Sequence, residues 1–215
     1  MPNVSKMPTS FTARVIILVI GLFLMAFGVV LSIHSALGTS PISSLPYTLS
    51  FIFNMSVGML TILMHIVMII LQMLLLQKNF QWHQWLQLPV GLIFGLMIDA
   101  LMWLTQAWQI QLYSLQIVMC LLSCLFTALG VCFVIQANLV FLAGEGLYAA
   151  VSQRFKISFG KCKTYGDLIL VCIAVITSAW MLSEIVGVRE GTIISALLVG
   201  TMVKFLLEKF KRFHF

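Results

Sequence analysis

The sequence predicts an all-α membrane protein of six transmembrane helices, arranged as two inverted three-helix repeats. A short broken or re-entrant helix follows the first helix of each repeat. Three observations carry this expectation. The 215 residues are 61% hydrophobic and only 8% charged, against roughly a quarter charged in an ordinary globular chain. Six apolar runs each approach the length of about 20 residues that a spanning helix needs. The chain also resembles itself after a shift of 102 residues.

The composition excludes a soluble enzyme, a disordered regulator and a disulfide-stapled secreted module. Long continuous runs, rather than short alternating ones, argue against a β-barrel. The net charge of +6 reads as helix orientation and attraction to anionic lipid, so the expected partner is the bilayer and not nucleic acid.

The spans fall at about 13–35, 57–77, 88–106, 113–136, 165–183 and 191–208. The first follows Lys6 and Arg14. It is too long for a signal-peptide core and is read as retained. The second follows GTSPISSLPYTLSFIFN (38–54), whose Gly and Pro break a helix. Ser40 before Pro41 gives an N-cap signal within it. The fifth follows LVFLAGEGLYAAVSQRFKISFGKCK (139–163). Each connection has room for a short helix that dips into the membrane or lies on it.

Placing the N-terminus inside leaves, of the twelve Lys and Arg, only Arg189 outside. That is a strong positive-inside signal. Trp82 and Trp85 then mark the inner boundary, and Trp103, Trp108, Tyr113 and Trp180 the outer one. The expected location is the plasma or inner membrane, with both termini cytoplasmic.

The internal match needs no gap from residue 26 to about residue 80. Ala26, Gly28 and Val29 fall on Ala128, Gly130 and Val131 under the shift of 102. Leu45, Ser50, Phe53, Ser56 and Gly58 fall on Leu147, Ser152, Phe155, Ser158 and Gly160. The units are 1–110 and 111–215. An odd number of spans per unit inverts the second copy. Inverted repeats mark transporters and some channels, with sites near the midplane where broken helices meet.

The candidate path residues follow from this frame. Asp99 lies within the third span, roughly 15 Å from its start at Pro89. It shares a face with Gly91 and Gly95 that admits a close partner helix. An acid inside a span is by default a functional candidate; the alternative is a packing hydrogen bond. His65 and Asp167 are repeat partners near opposite membrane faces, which suggests a proton path with one station per side. For Asp167 the alternative is pairing with Lys161 or Lys163, and for His65 a helix–helix hydrogen bond. The two connections add His34, Ser40, Ser43 and Ser44, and Gln136, Asn138 and Glu145.

Five cysteines form no C-x-x-C pair and have no histidine at metal-ligand spacing. Neither a metal nor a cofactor is expected. The signatures G-x-S-x-G, H-E-x-x-H and the P-loop lysine are absent from the sequence, so no enzyme is expected.

Three stretches carry a family resemblance: Leu-Gly-Thr-Ser-Pro at 37–41, Phe-Gly-Lys-x-Lys at 159–163 leading to Asp167, and Val-x-x-Gly-Thr-Ile-Ile-Ser-Ala-Leu at 188–197. From about residue 13 the chain resembles the YitT/YczE-like bacterial integral membrane proteins. The resemblance implies a multi-pass, transport-like plasma-membrane protein, with no agreed substrate and no assigned catalytic residue. With no C-terminal soluble domain before Phe215, the chain looks closer to the YczE side.

The functional expectation is a secondary transporter or exporter of a small solute or ion, with proton coupling and a homo-oligomeric state as options. Asp99 is the central carboxylate in this scheme. The alternatives are a passive channel and a non-transporting accessory protein that supports a partner. Reporter fusions test the topology: one near Trp108 is expected to report outside and one near Lys156 inside. Equal or opposite signals would undo the inverted frame.

Overall fold

The computed structural model describes residues 10–213, with side chains to residue 209. The charge-count residues Lys6, Lys211 and Arg212 therefore lie outside the described side chains. The described residues form eight α-helices: α1 (Phe11–His34), α2 (Pro41–Phe53), α3 (Val57–Leu76), α4 (Gln87–Leu104), α5 (Tyr113–Ala137), α6 (Ala143–Phe155), α7 (Phe159–Met181) and α8 (Glu190–Phe213). Two 3-10 turns separate α3 from α4. Six helices are long and apolar enough to cross a membrane. They keep large apolar side chains exposed along their outer faces, such as Phe23, Leu74, Leu96 and Ile176. That surface suits hydrocarbon and not water.

α2 and α6 are the short helices expected in the two connections, 13 residues each. At about 1.5 Å per residue neither crosses a 30 Å core. α2 begins at Ser40 in extended conformation, with Pro41 in its first turn. Pro there lacks only a donor that the helix would not have used. Pro46 inside α2 removes the helical donor to the Ile42 carbonyl.

Corresponding elements start and stop in register. α2 and α6 begin at 41 and 143 and end at 53 and 155, while α3 and α7 begin at 57 and 159. Each of these pairs differs by the same 102 residues as the sequence match. The backbone breaks recur too. Ala36 and Asn138 take left-handed φ of 55° and 45°, and Asn54 and Lys156 take 51° and 55°.

The central contact is α1 against α5. A Cβ on Gly28 would overlap Thr127 and the Ser123 carbonyl, and one on Gly130 would overlap Met25 and the Gly21 carbonyl. Small residues here let two backbones meet without a hydrophobic drive. Each helix also buries a second stripe. On α1 it is Leu18, Leu22, Ala26 and Val30, packed with Phe94, Ile98 and Leu101 of α4. On α5 it is Cys120, Cys124, Ala128 and Cys132, with the Cys132 thiol 3.8 Å from the Val203 carbonyl on α8. The three thiols serve as small hydrophobes.

At one end of the bundle Arg14 of α1 donates to the carbonyls of Ala137, at 2.8 Å, and Asn138. The start of α1 thus lies against the end of α5, and the two run antiparallel. At the other end the loop 182–189 covers the break after α1. Thr39 N donates to Gly187 O at 2.9 Å, and Gly191 N to Leu37 O at 2.7 Å. Arg189 donates to Ala36 O at 2.9 Å, and Thr48 to Val186 O at 3.0 Å. Gly38 (φ 97°) sits in this seam, where a Cβ would strike the Arg189 amide.

Two boundaries differ from the hydropathy reading. α7 starts at Phe159 rather than 165, and α8 runs to Phe213 rather than 208. The extra turns carry Lys161 and Lys163, or Lys209 and Lys211. Such residues favour helix without registering as apolar.

α3 and α4 meet through Gly58 and Gly95, each facing the other's carbonyl. Gly95→Val is expected to cost about 1–3 kcal/mol by overpacking, read as a lower melting temperature. Gly160→Ala, with nothing within 4 Å of the new methyl, is expected to be neutral or stabilising by up to about 1 kcal/mol.

Candidate functional site

A cavity of about 300 Å³ lies where α2 and α6 meet the long helices. This is the lower end of the size range of small-molecule sites. Its lining pairs up across the shift of 102. Met25 and Thr127 both line it, as do Val29 and Val131, Ser43 and Glu145, Thr61 and Lys163, and His65 and Asp167. The two walls share a backbone plan and differ in chemistry. The first-half wall offers hydroxyls and an imidazole, and the second-half wall two acids and a lysine beside the hydroxyls of Thr127 and Ser195.

On the charged wall, Lys163 Nζ lies 3.1 Å from Asp167 Oδ2, one helical turn apart on α7. Tyr148 of α6 donates its hydroxyl to Asp167 Oδ1 at 2.7 Å, and Lys163 Nζ sits 5.5 Å from the Tyr148 ring centroid. Gly166 makes room for that ring, which a Cβ would overlap. Asp167 is thus held on both oxygens. Glu145, in the first turn of α6, lines the cavity.

On the opposite wall His65 is 4% exposed, and its Nδ1 has no hydrogen-bond partner. Its ring stacks on Phe94 with centroids 5.9 Å apart. It also fits against Gly91, on the same helix as Phe94, where a Cβ would come within 2.7 Å of Nδ1. Ser40 donates to Ser43 Oγ at 3.0 Å and makes no side-chain cap bond, although it occupies the N-cap position.

Of the sequence-derived candidates, the structure gathers His65, Asp167, Ser40, Ser43 and Glu145 around this cavity. It sets five apart. Asp99 accepts from Ser56 Oγ at 2.6 Å and from Gly58 N at 2.7 Å, tying α4 to the N-terminus of α3. It stands only five residues before the end of α4 at Leu104, about 8 Å along the axis, so it lies beyond the middle of its span. His34 Nε2 bonds Thr105 Oγ1 at 2.8 Å. Thr105 spends its own hydrogen on Leu101 O, so His34 is the donor. Ser44 donates to Pro41 O at 2.7 Å. Gln136 and Asn138 lie at the end of α5, where Asn138 is the left-handed cap.

Sequence reasoning passed over Thr61, Lys163 and Tyr148 as site residues. A signal existed for two of them. Thr61 and Lys163 are related by the same shift of 102, each four residues before His65 and Asp167.

The Asp99 geometry is that of a helix cap. Asp99→Ala is expected to cost about 1–2 kcal/mol, the usual value for a lost cap, and Asp99→Asn less, because an amide oxygen still accepts from Gly58 N. Thermal melts of the purified variants check this order.

No curated protein and no solved structure matches the chain. The profile of a family of unknown function, DUF6198, aligns with residues 12–208, nearly the whole chain, and the chain belongs to that family.

Proposed function

We propose that the protein is a secondary transporter or exporter of a small solute, built as two inverted three-helix repeats around the cavity. The observation that carries this reading is the pairing of cavity residues across the shift of 102. A site at the junction of two repeat units, formed by short broken helices, is the arrangement through which alternating access works. The antiparallel course of α1 and α5, the shared element boundaries and the resemblance to YitT/YczE-like membrane proteins support it. The Lys and Arg distribution supports a plasma-membrane location with cytoplasmic termini. On that orientation the seam of loop 182–189 closes the outside, and the Arg14 end faces in. His65, Asp167 and Glu145 are the groups for proton coupling. The central carboxylate of this scheme is Glu145 or Asp167 rather than Asp99. The reading includes no covalent chemistry.

The test is thermal stability of the purified protein across a panel of small solutes. A ligand at a hundredfold excess over its Kd stabilises by about 2.7 kcal/mol. At least one solute is expected to stabilise wild type and to fail with Ala196→Trp, which fills the cavity. Uptake into proteoliposomes is then expected to saturate and to respond to a proton gradient. Flux that ignores the gradient and never saturates would point to a channel. A flat panel with one stoichiometric cross-linked protein would point to an accessory role.

A further inference from the structure

The hydrogen-bonding capacity of the cavity wall is lopsided. Thr61 donates its hydroxyl hydrogen to Val57 O at 2.8 Å, Ser195 to Thr192 O at 3.0 Å and Ser40 to Ser43 Oγ at 3.0 Å. All four of these hydroxyl-bearing residues line the cavity. Three of them therefore offer a solute only lone pairs. Lys163, the one cationic lining residue, is already paired with Asp167 at 3.1 Å, and Tyr148 fills the other oxygen of Asp167. The Glu145 carboxylate differs. No hydrogen bond or ion pair among the described residues engages it, although it lines the same cavity. The buried imidazole of His65 adds a second unsatisfied polar group.

Such a wall is richer in lone pairs than in free hydroxyl hydrogens, which Ser43 and Thr127 retain, and it holds the Glu145 carboxyl without a direct ion-pair partner. Buried charges need a partner and buried acceptors need donors. An anionic solute would meet Glu145 with no free cation to offset it. Apart from the Thr127 hydroxyl, the remaining lining is apolar, with Met25, Val29, Phe94, Val131 and Val199 among it. The volume of about 300 Å³ is roughly ten times the share of one water. A bare metal ion would leave that space unfilled, and no group of three or more metal-ligating side chains exists among the described residues.

We propose that the cavity selects a small organic cation, a protonated amine with an apolar body, and that Glu145 is its counter-charge. The ammonium would donate to Glu145 and to the hydroxyl lone pairs, and the body would lie on the apolar wall. This assignment rests on the reading of the cavity as the solute site.

Three probes of one shape separate the possibilities: cyclohexylammonium, cyclohexanol and cyclohexanecarboxylate, each titrated against thermal stability of the purified full chain. The ammonium is expected to stabilise wild type most. Glu145→Gln is expected to weaken its binding tenfold or more while leaving the weak effect of the alcohol in place. Lys163→Gln, which frees Asp167, is expected to tighten ammonium binding. It also keeps the test decisive if Glu145→Gln folds poorly. Stabilisation by the carboxylate, or equal response to ammonium and alcohol in wild type and Glu145→Gln, would overturn the cation assignment and leave the cavity as a solute site. So would a panel in which other solutes stabilise wild type and no ammonium does. If no solute of any charge stabilises wild type, and Ala196→Trp melts alike in every one, the underlying site reading falls as well.

Discussion

Hydrocarbon offers no hydrogen bonds, so any chain that stops being helical inside it must find partners for its backbone. The helical path breaks after α1 and after α5, just ahead of the two short helices, and much of the architecture answers that demand. The carbonyls of Ala36 and Leu37 are met by Arg189 and the Gly191 amide. Those of Ala137 and Asn138 are met by Arg14, and that of Ala143 by Gln72, itself held by Gln87. With these groups satisfied, α2 and α6 can end short and leave a space between them. The cavity follows from the breaks, and the breaks depend on their partners.

The long helices close around that space by backbone approach rather than by bulk. Gly28 and Gly130 join α1 to α5, and Gly58 and Gly95 join α3 to α4. Such contacts fix helix positions closely, because a single methyl has no room. The skeleton is nearly the same in both halves, while the side chains on it diverge. Thr61 and His65 stand where Lys163 and Asp167 stand in the other half. Matching element boundaries thus present different chemistry to the two sides of one cavity.

Much of this was legible in the sequence. Pro41 and Pro46 after Gly38 marked a broken helix, and the match of residues 38–54 to 140–156 carried that reading to α6, which has no proline. The pairing of His65 with Asp167 led to the cavity. Asp99 was less legible. An acid in an apolar run looks alike whether it faces a solute or caps a neighbouring helix. The difference lies in where α3 begins, beside Ser56 and Gly58 and not in the local sequence. Lys163 was hidden for the opposite reason. Its charge already had an explanation in membrane topology, and its pairing with Asp167 one turn on was only an alternative; the approach of the Tyr148 ring from α6 is what gives it a second place.

The two ends of the bundle are fastened by different kinds of bond. At the Arg189 end two main-chain bonds, Thr39 to Gly187 and Gly191 to Leu37, run beside the side-chain contacts. Main-chain bonds persist through most changes of side chain. At the Arg14 end one guanidinium holds both carbonyls that close α5. Sequence drift therefore acts unequally on the molecule. In the loop 182–189 most side chains apart from Gly187 and Arg189 can change while the main-chain bonds stay, whereas a single codon change at residue 14 removes both side-chain bonds at the opposite end. That residue gives the protein a one-position adjustment of how firmly its two ends are balanced against each other.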